Sequence, residues 1–275
     1  MALTSRLALA LLLAAVVSTS TAAHPDEKDD AVVLWNQAVD AKGGRARLEA
    51  VRNIVVTDRT RYPRSPRPDL TTGLTRQRLY VFPTRVWEFL DERPGLFGVS
   101  LSIYDLQQAV GWNAAGRIPD RGGIVDDVTY KLLHGQFMYL LETAFLKPEP
   151  LSSRSSKVGR VTVDVVETRV SPDVRVEYYL DRRTHLPIQV VVFRTIRIPP
   201  DVPLPPQTFA SEERYTLGAY ANVDGLQMPT VVRLGGGNNP TQTSYRINVT
   251  YDEQVFLDPS PSLFQRPALD AWEKK

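Results

Sequence analysis

Tyr245-Arg246-Ile247-Asn248-Val249-Thr250-Tyr251-Asp252 places an apolar residue at every second position, with polar residues between. In an extended chain successive side chains point to opposite faces, so this stretch reads as a strand with one face on a core and one in water. That is antiparallel-sheet behaviour, because parallel strands are covered on both faces and read as continuous apolar runs. The same period recurs upstream. Ile54 to Thr60 reads as a first strand, and Leu74 to Phe82 with Arg85 to Asp91 as two more around Pro83. Leu101 to Asp105 and Gln108 to Asn113 are shorter. Val161, Val163 and Val165 alternate with Thr162 and Asp164, and Val176, Tyr178 and Leu180 with Arg175, Glu177 and Tyr179. Turn-forming residues at Asp181 to Pro187 and Asn222 to Gly225 separate such strands. Gly235-Gly236-Gly237-Asn238-Asn239-Pro240 reads as a hairpin turn, since no helix follows it to cradle a phosphate.

Helical periods occur in two places. Near residue 30, Val32, Trp35 and Val39 share a stripe, Asp29 or Asp30 is the expected cap, and Gly43-Gly44 ends the helix. Arg45 to Val51 adds a short turn with Leu48 and Val51 inward. The second is Thr129 to Leu146, capped by Asp126 or Asp127 and stopped by Lys147-Pro148, with Tyr130, Leu133, Phe137, Leu140, Leu141 and Ala144 as an apolar stripe. One amphipathic helix in a chain of strands must bury that stripe on a sheet face. The predicted class is therefore α+β and mostly β, in one domain without repeats. Ile198 to Pro206 reads as a stiff polyproline loop.

Two strands are apolar on both faces. Ile188, Val190 and Val192 oppose Val191 and Phe193, while Trp87 and Phe89 oppose Val86 and Leu90, with only Glu88 interrupting. Such strands need cover twice: from the helix on one side, and from further protein or an apolar ligand on the other. A curved wall with a helical lid is how a lipid cavity is built.

The first residues have the parts of a secretory signal: Arg6, the apolar run Leu7 to Val17, and small residues up to Ala23. The run is shorter than the ~20 residues of a bilayer span. Residues 1–23 are thus expected to be cleaved and residues 24–275 to be a soluble periplasmic or secreted domain. An exported chain with no Cys has no disulfides, thiol chemistry or Cys-ligated metal. The net charge of +2 offers no general attraction to nucleic acid. Arg59, Arg61, Arg64 and Arg67 form a local basic stretch that can touch an anionic membrane surface. No Gly-x-Ser-x-Gly elbow, Walker loop or dinucleotide fingerprint is present. The three His residues, His24, His134 and His185, lie far apart in the chain. A non-enzymatic protein without cofactor or metal is the expectation.

Several stretches, in order, resemble the exported lipoprotein-sorting proteins of the LolA/LolB-like family. They are Ala38 to Val51 with its Gly43-Gly44, Tyr80-Val81-Phe82-Pro83, Val110-Gly111-Trp112-Asn113, Tyr179-Leu180-Asp181 with His185-Leu186-Pro187-Ile188, Val223 to Pro229 around Asp224-Gly225, and Ser262-Leu263-Phe264. The resemblance implies a strongly curved antiparallel sheet, an unclosed half-barrel lidded by helices, with an apolar cavity for acyl chains. The Arg-rich stretch and Ile198 to Pro206 depart from the family, and no family binding residue maps onto a position here. The function expected is an envelope binder or carrier of an apolar ligand, a lipid or lipid-modified protein. Its cavity would lie between the sheet and the Thr129–Leu146 helix, lined by Trp87, Phe89, Phe137, Leu141, Val190 and Val192. The rivals are an envelope scaffold or protein-interaction module with the cavity filled, and a hydrolase whose site leaves no motif.

Overall fold

A computed structural model describes residues 25–60, 73–93, 98–119, 124–197, 208–235 and 241–274. The expected signal sequence, Arg61, Arg64, Arg67, the expected polyproline loop Ile198 to Pro206 and most of the expected hairpin turn at Gly235 to Pro240 lie outside these residues. The chain begins with α1 (Pro25–Lys42) and α2 (Arg45–Glu49). Six strands follow: β1 (Asn53–Thr60), β2 (Leu74–Val81), β3 (Arg85–Asp91), β4 (Val99–Asp105), β5 (Val110–Asn113) and β6 (Gly116–Pro119). After α3 (Ile124–Tyr139) come β7 (Glu149–Val158), β8 (Val161–Ser171), β9 (Val174–Asp181) and β10 (Pro187–Arg197). β11 (Thr208–Val223), β12 (Leu226–Leu234) and β13 (Thr241–Ile247) complete the strands, and α4 (Gln254–Leu257) and α5 (Pro261–Gln265) end the chain.

All thirteen strands belong to one antiparallel sheet, ordered β6-β5-β4-β3-β2-β1-β13-β12-β11-β10-β9-β8-β7. Strands consecutive in sequence pair with each other except β6 and β7, and β1 with β13 joins the chain's two halves. β6 and β7 are left as separate edges, so the sheet does not close. It nevertheless bends. Gly135 of α3 lies so close to Tyr80 of β2 that a Cβ added there would sit 2.7 Å from the ring. Two residues on, the Phe137 carbonyl accepts a hydrogen bond from the Tyr178 hydroxyl of β9 at 3.3 Å. β2 and β9 stand six places apart in the sheet, roughly 29 Å at the ~4.8 Å strand spacing of a flat sheet. Two helical residues advance only about 3 Å. The sheet must therefore wrap around α3.

The pleat divides each strand between two layers. On the helix face, Ile54, Val56, Tyr80, Val86, Val176, Tyr178, Leu180, Val190 and Val192 pack with Trp35, Leu48 and Phe137. On the outer face, Val55, Leu79, Trp87, Phe89, Leu101 and Ile103 form a second cluster with Val255, Phe256 and Trp272. The two-faced strands are thus covered by protein on both sides at β3, where the carboxy-terminal segment supplies the second cover. Gln77 anchors that segment, its Oε1 accepting from Trp272 Nε1 at 3.2 Å and from Asp270 N at 2.9 Å.

Two of the motif stretches meet in space. Asp224 and Gly225, at φ 51° and 84°, form the two-residue turn between β11 and β12, a geometry that favours Asp-Gly. A Cβ on Gly43 would lie 2.5 Å from the Gly225 carbonyl oxygen, so the Gly43-Gly44 corner seats directly on this turn. Asp181 closes the β9–β10 turn by accepting from the backbone N–H groups of Arg183 and Thr184 at 3.0 and 2.9 Å.

The structure corrects several boundaries. α1 already begins at Pro25, so Asp29 and Asp30 lie inside it rather than capping it, and Val32 is exposed while Trp35 and Val39 are buried with Ala31 and Ala38. α3 begins at Ile124, which places Asp126 and Asp127 within the helix, and it ends at Tyr139 rather than Leu146. Leu141 takes a left-handed φ of 65°, and Gln136 folds the next segment back by donating to the Leu146 carbonyl and accepting from the Thr143 hydroxyl. Local side-chain capture overrides the apolar spacing there. Ile188 is the bulged residue between Pro187 and Gln189, so it joins Val191 and Phe193 on the outer face.

The opening stretch is corrected as well. β13 stops at Ile247, and Asn248 turns at φ 52°. Tyr245 and Ile247 pack on the helix-face core, while Val249 and Tyr251 pack on the outer cluster. Asn248 is the pivot: its Oδ1 accepts from Arg52 N at 2.7 Å and its Nδ2 donates to the Ala50 carbonyl at 3.1 Å.

Candidate functional site

The helix-face core is sealed around Phe137, but it opens beyond the other flank of α3. A cavity of ≈ 490 Å³ lies there between α3 and strands β1, β2, β11, β12 and β13. The pleat explains its lining. From β2 the even-numbered Leu74, Arg76, Arg78 and Tyr80 face inward, and from β1 Asp58 and Thr60. Glu213 and Tyr215 of β11, Val232 and Leu234 of β12 and Thr241 of β13 form the far wall, and Tyr130, Lys131, His134 and Tyr139 hang from α3.

The floor is charged. Arg78 Nε contacts Glu88 Oε2 at 2.5 Å, and its Nη1 lies 3.7 Å from Asp58 Oδ2. Lys131 Nζ lies 3.7 Å from Glu88 Oε1 and 5.0 Å above the Tyr104 ring. Burial would raise the Glu88 carboxyl, but the charges of Arg78 and Lys131 outweigh it and hold the group at about 2. For Asp58 the balance reverses. Burial raises its pKa despite the nearby Arg78 and a 2.9 Å bond from the Thr243 hydroxyl.

The walls are aromatic. The His134 ring stands edge-on to Tyr215 at 5.1 Å and to Phe137 at 5.5 Å. Burial, reinforced by the charges of Arg78 and Arg76, lowers its pKa to about 3, so the imidazole is neutral. Tyr215 donates to Glu213 Oε2 at 2.5 Å, and the Arg194 guanidinium lies 4.2 Å from the Tyr130 ring centre. Such a cavity can hold an apolar chain and present charge to a polar end. Among the described residues no group of three or more His, Asp or Glu could hold a metal ion, and no helix is long and apolar enough to cross a membrane.

None of the six residues expected to line a cavity borders this one. Phe137, Leu141, Val190 and Val192 come together on the helix face and are at most 2% exposed. Leu141 reaches that core from beyond the helix end, not from the helical stripe. Trp87 and Phe89 lie on the opposite face, 6.2 Å apart and stacked, in the cluster closed by Trp272. Of the Arg stretch, only Arg59 is described; it is exposed at the end of β1. The charged floor beneath the cavity carried one sequence signal. Glu88 breaks an apolar strand, and Arg78 lies opposite it in the β2–β3 register.

Solved structures match this architecture over most of its length. A LolA superfamily protein from Nitrosomonas europaea covers 82% of this chain and 96% of its own at 11% identity, with a TM-score of 0.46. A putative outer membrane lipoprotein-sorting protein domain from Vibrio parahaemolyticus covers 86% and 100% at 14% identity, TM-score 0.43. A DUF1329 family protein from Desulfovibrio piger covers 82% and 96% at 11% identity, TM-score 0.44. The likeness is one of outline. The family that the sequence motifs resemble is represented among these structures. No family model and no curated protein matches the chain.

Proposed function

We propose that this chain is an exported, non-enzymatic binder or carrier of an amphiphile with an apolar tail, acting in the bacterial envelope. The observation that carries this reading is the cavity of ≈ 490 Å³ beside α3, within the ~300–1,000 Å³ usual for small-molecule sites. Its aromatic and aliphatic walls suit one acyl chain, free or attached to a protein. The arrangement supports binding better than catalysis: Asp58 is bonded to Thr243, Glu213 to Tyr215, and Arg78 and Lys131 face Glu88. The neutral His134 has ring contacts in place of a carboxylate partner. Signal cleavage near Ala23, and contact of the basic stretch from Arg59 with an anionic membrane, belong to the same reading.

A specific observation favours a second reading, an envelope scaffold or protein-interaction module with its interior filled. The space under α3 itself is occupied by Phe137, Leu141, Val190 and Val192. A fluorescent fatty acid separates the two. A carrier binds the probe saturably, and Val232→Phe, which narrows the cavity, weakens binding at least tenfold while the circular dichroism spectrum is unchanged. A scaffold gives no saturable signal, and that result would overturn the carrier reading.

A further inference from the structure

Hydrogen-bond accounting around the cavity leaves one donor over. Arg78 and Lys131 both face Glu88. Glu213 accepts from Tyr215, and the Asp58 oxygens are engaged by Thr243 and Arg78. Arg76 stands directly across from Asp58 in the β1–β2 register, yet its Nε is buried without a hydrogen-bond partner. A buried guanidinium nitrogen without an acceptor is costly, and a planar fork of donors suits a carboxylate.

The surroundings of Arg76 are mixed in a useful way. One step along β2 toward the strand end is Leu74, in register with Thr60, and Thr60 in turn with Thr241 and Thr241 with Val232. Leu234 extends this apolar rim and is 62% exposed. Tyr80 and Tyr215 close the deeper end. A head group on Arg76 would therefore leave its tail against Val232, Leu234 and the aromatic walls.

We infer that the cavity selects a single-chain amphiphile with a monoanionic carboxylate head, and that Arg76 is the selecting residue. The inference rests on the binding reading above and narrows it to one ligand class. The monoanion follows from the bonding: one guanidinium nitrogen, Arg76 Nε, lacks an acceptor, and a second negative charge would enter a wall that already holds Asp58 and Glu213.

Competition against the fluorescent fatty acid tests it, with dodecanoate, dodecanol, dodecyl phosphate and inorganic phosphate as competitors. The expected order has dodecanoate about tenfold or more ahead of dodecanol, with dodecyl phosphate weaker than dodecanoate and inorganic phosphate ineffective. In Arg76→Gln, dodecanoate should fall to the level of dodecanol, while dodecanol binding itself persists. Arg76→Lys should recover part of the difference. Equal binding of dodecanoate and dodecanol by the wild type, or a preference that survives Arg76→Gln, overturns the inference and leaves the carrier reading standing. Preference for dodecyl phosphate overturns the monoanion, and displacement by inorganic phosphate alone overturns the amphiphile. No binding of any chain-bearing competitor sinks both readings.

Discussion

Lys42 ends α1 with its side chain almost wholly buried, its ammonium 5.3 Å from the centre of the Tyr220 ring. Burial lowers its pKa from 10.5 to about 7. The unfolded chain then holds the proton more tightly than the folded one, so the cost of the buried charge is full below pH 7. It is relieved as pH rises from about 7 toward 10.5. The buried Tyr80 and Tyr178 act oppositely above about pH 10, because their raised pKa values make the folded state the better proton binder. Denaturant melts from pH 7 to 9.5 should therefore show wild-type stability increasing. Lys42→Met fills the same space without the charge. It should be more stable at pH 7 by roughly 2 kcal/mol, after the lost cation–π contact is counted. Its stability should be flat over the same range, and a parallel rise in both proteins would show that Lys42 is not the titrating group.

At the scale of elements, the seating of α3 on β2 sets the shape of the cavity. Gly135 has no side chain, and the Tyr80 ring occupies the place where one would be. Tyr80 is fully buried and cannot swing aside cheaply. Gly135→Ala should therefore lift the helix or displace the ring, at a cost of about 1–3 kcal/mol, although alanine is the better helix former. Because His134 and Tyr139 flank this contact and line the cavity, fluorescent fatty-acid affinity should change with stability. An alanine variant that melts higher and binds normally would contradict the close seating. The turn motifs were readable in the sequence because they are local: Asp224-Gly225 and Asp181 act on their own backbone. The ends of α3 and β13 were not. Gln136 reaches the carbonyl of Leu146, and Asn248 reaches residues almost two hundred positions earlier in the chain.

The whole molecule is a bent sheet with three hydrophobic clusters among the described residues: one under the helices, a second under the carboxy-terminal segment and a smaller third around Val163, Val165, Tyr179 and Val191. Trp272 is the keystone of the second, fully buried, with Arg246 4.9 Å over its ring and its indole N–H on Gln77. Trp272→Ala should cost about 3–5 kcal/mol, as loss of a large buried ring does. The cavity lies across the sheet from this cluster. Below its reduced melting temperature the variant should bind the fluorescent fatty acid with wild-type affinity. Loss of binding in the folded variant would mean that the two faces act as one unit.

Alternation with period two was enough to establish an antiparallel sheet, and its residue pairs assigned Val190 and Val192 to one face and Val191 to the other. These are consequences of backbone geometry, which each strand carries alone. The pattern cannot say which face is which, or where an alternating run changes sides. Val249 and Tyr251 continue the period of Tyr245 and Ile247, yet a left-handed Asn248 delivers them to the opposite core. Nor does it distinguish a greasy residue facing a ligand from one facing Trp272. Trp87 and Phe89 required the carboxy-terminal segment to be in place before their surroundings were defined. Arg76 needed still more: its significance lies in what its neighbours bond instead of it. Partnership across a folded sheet depends on register, curvature and the seating of α3 together, and these exist only in the tertiary structure.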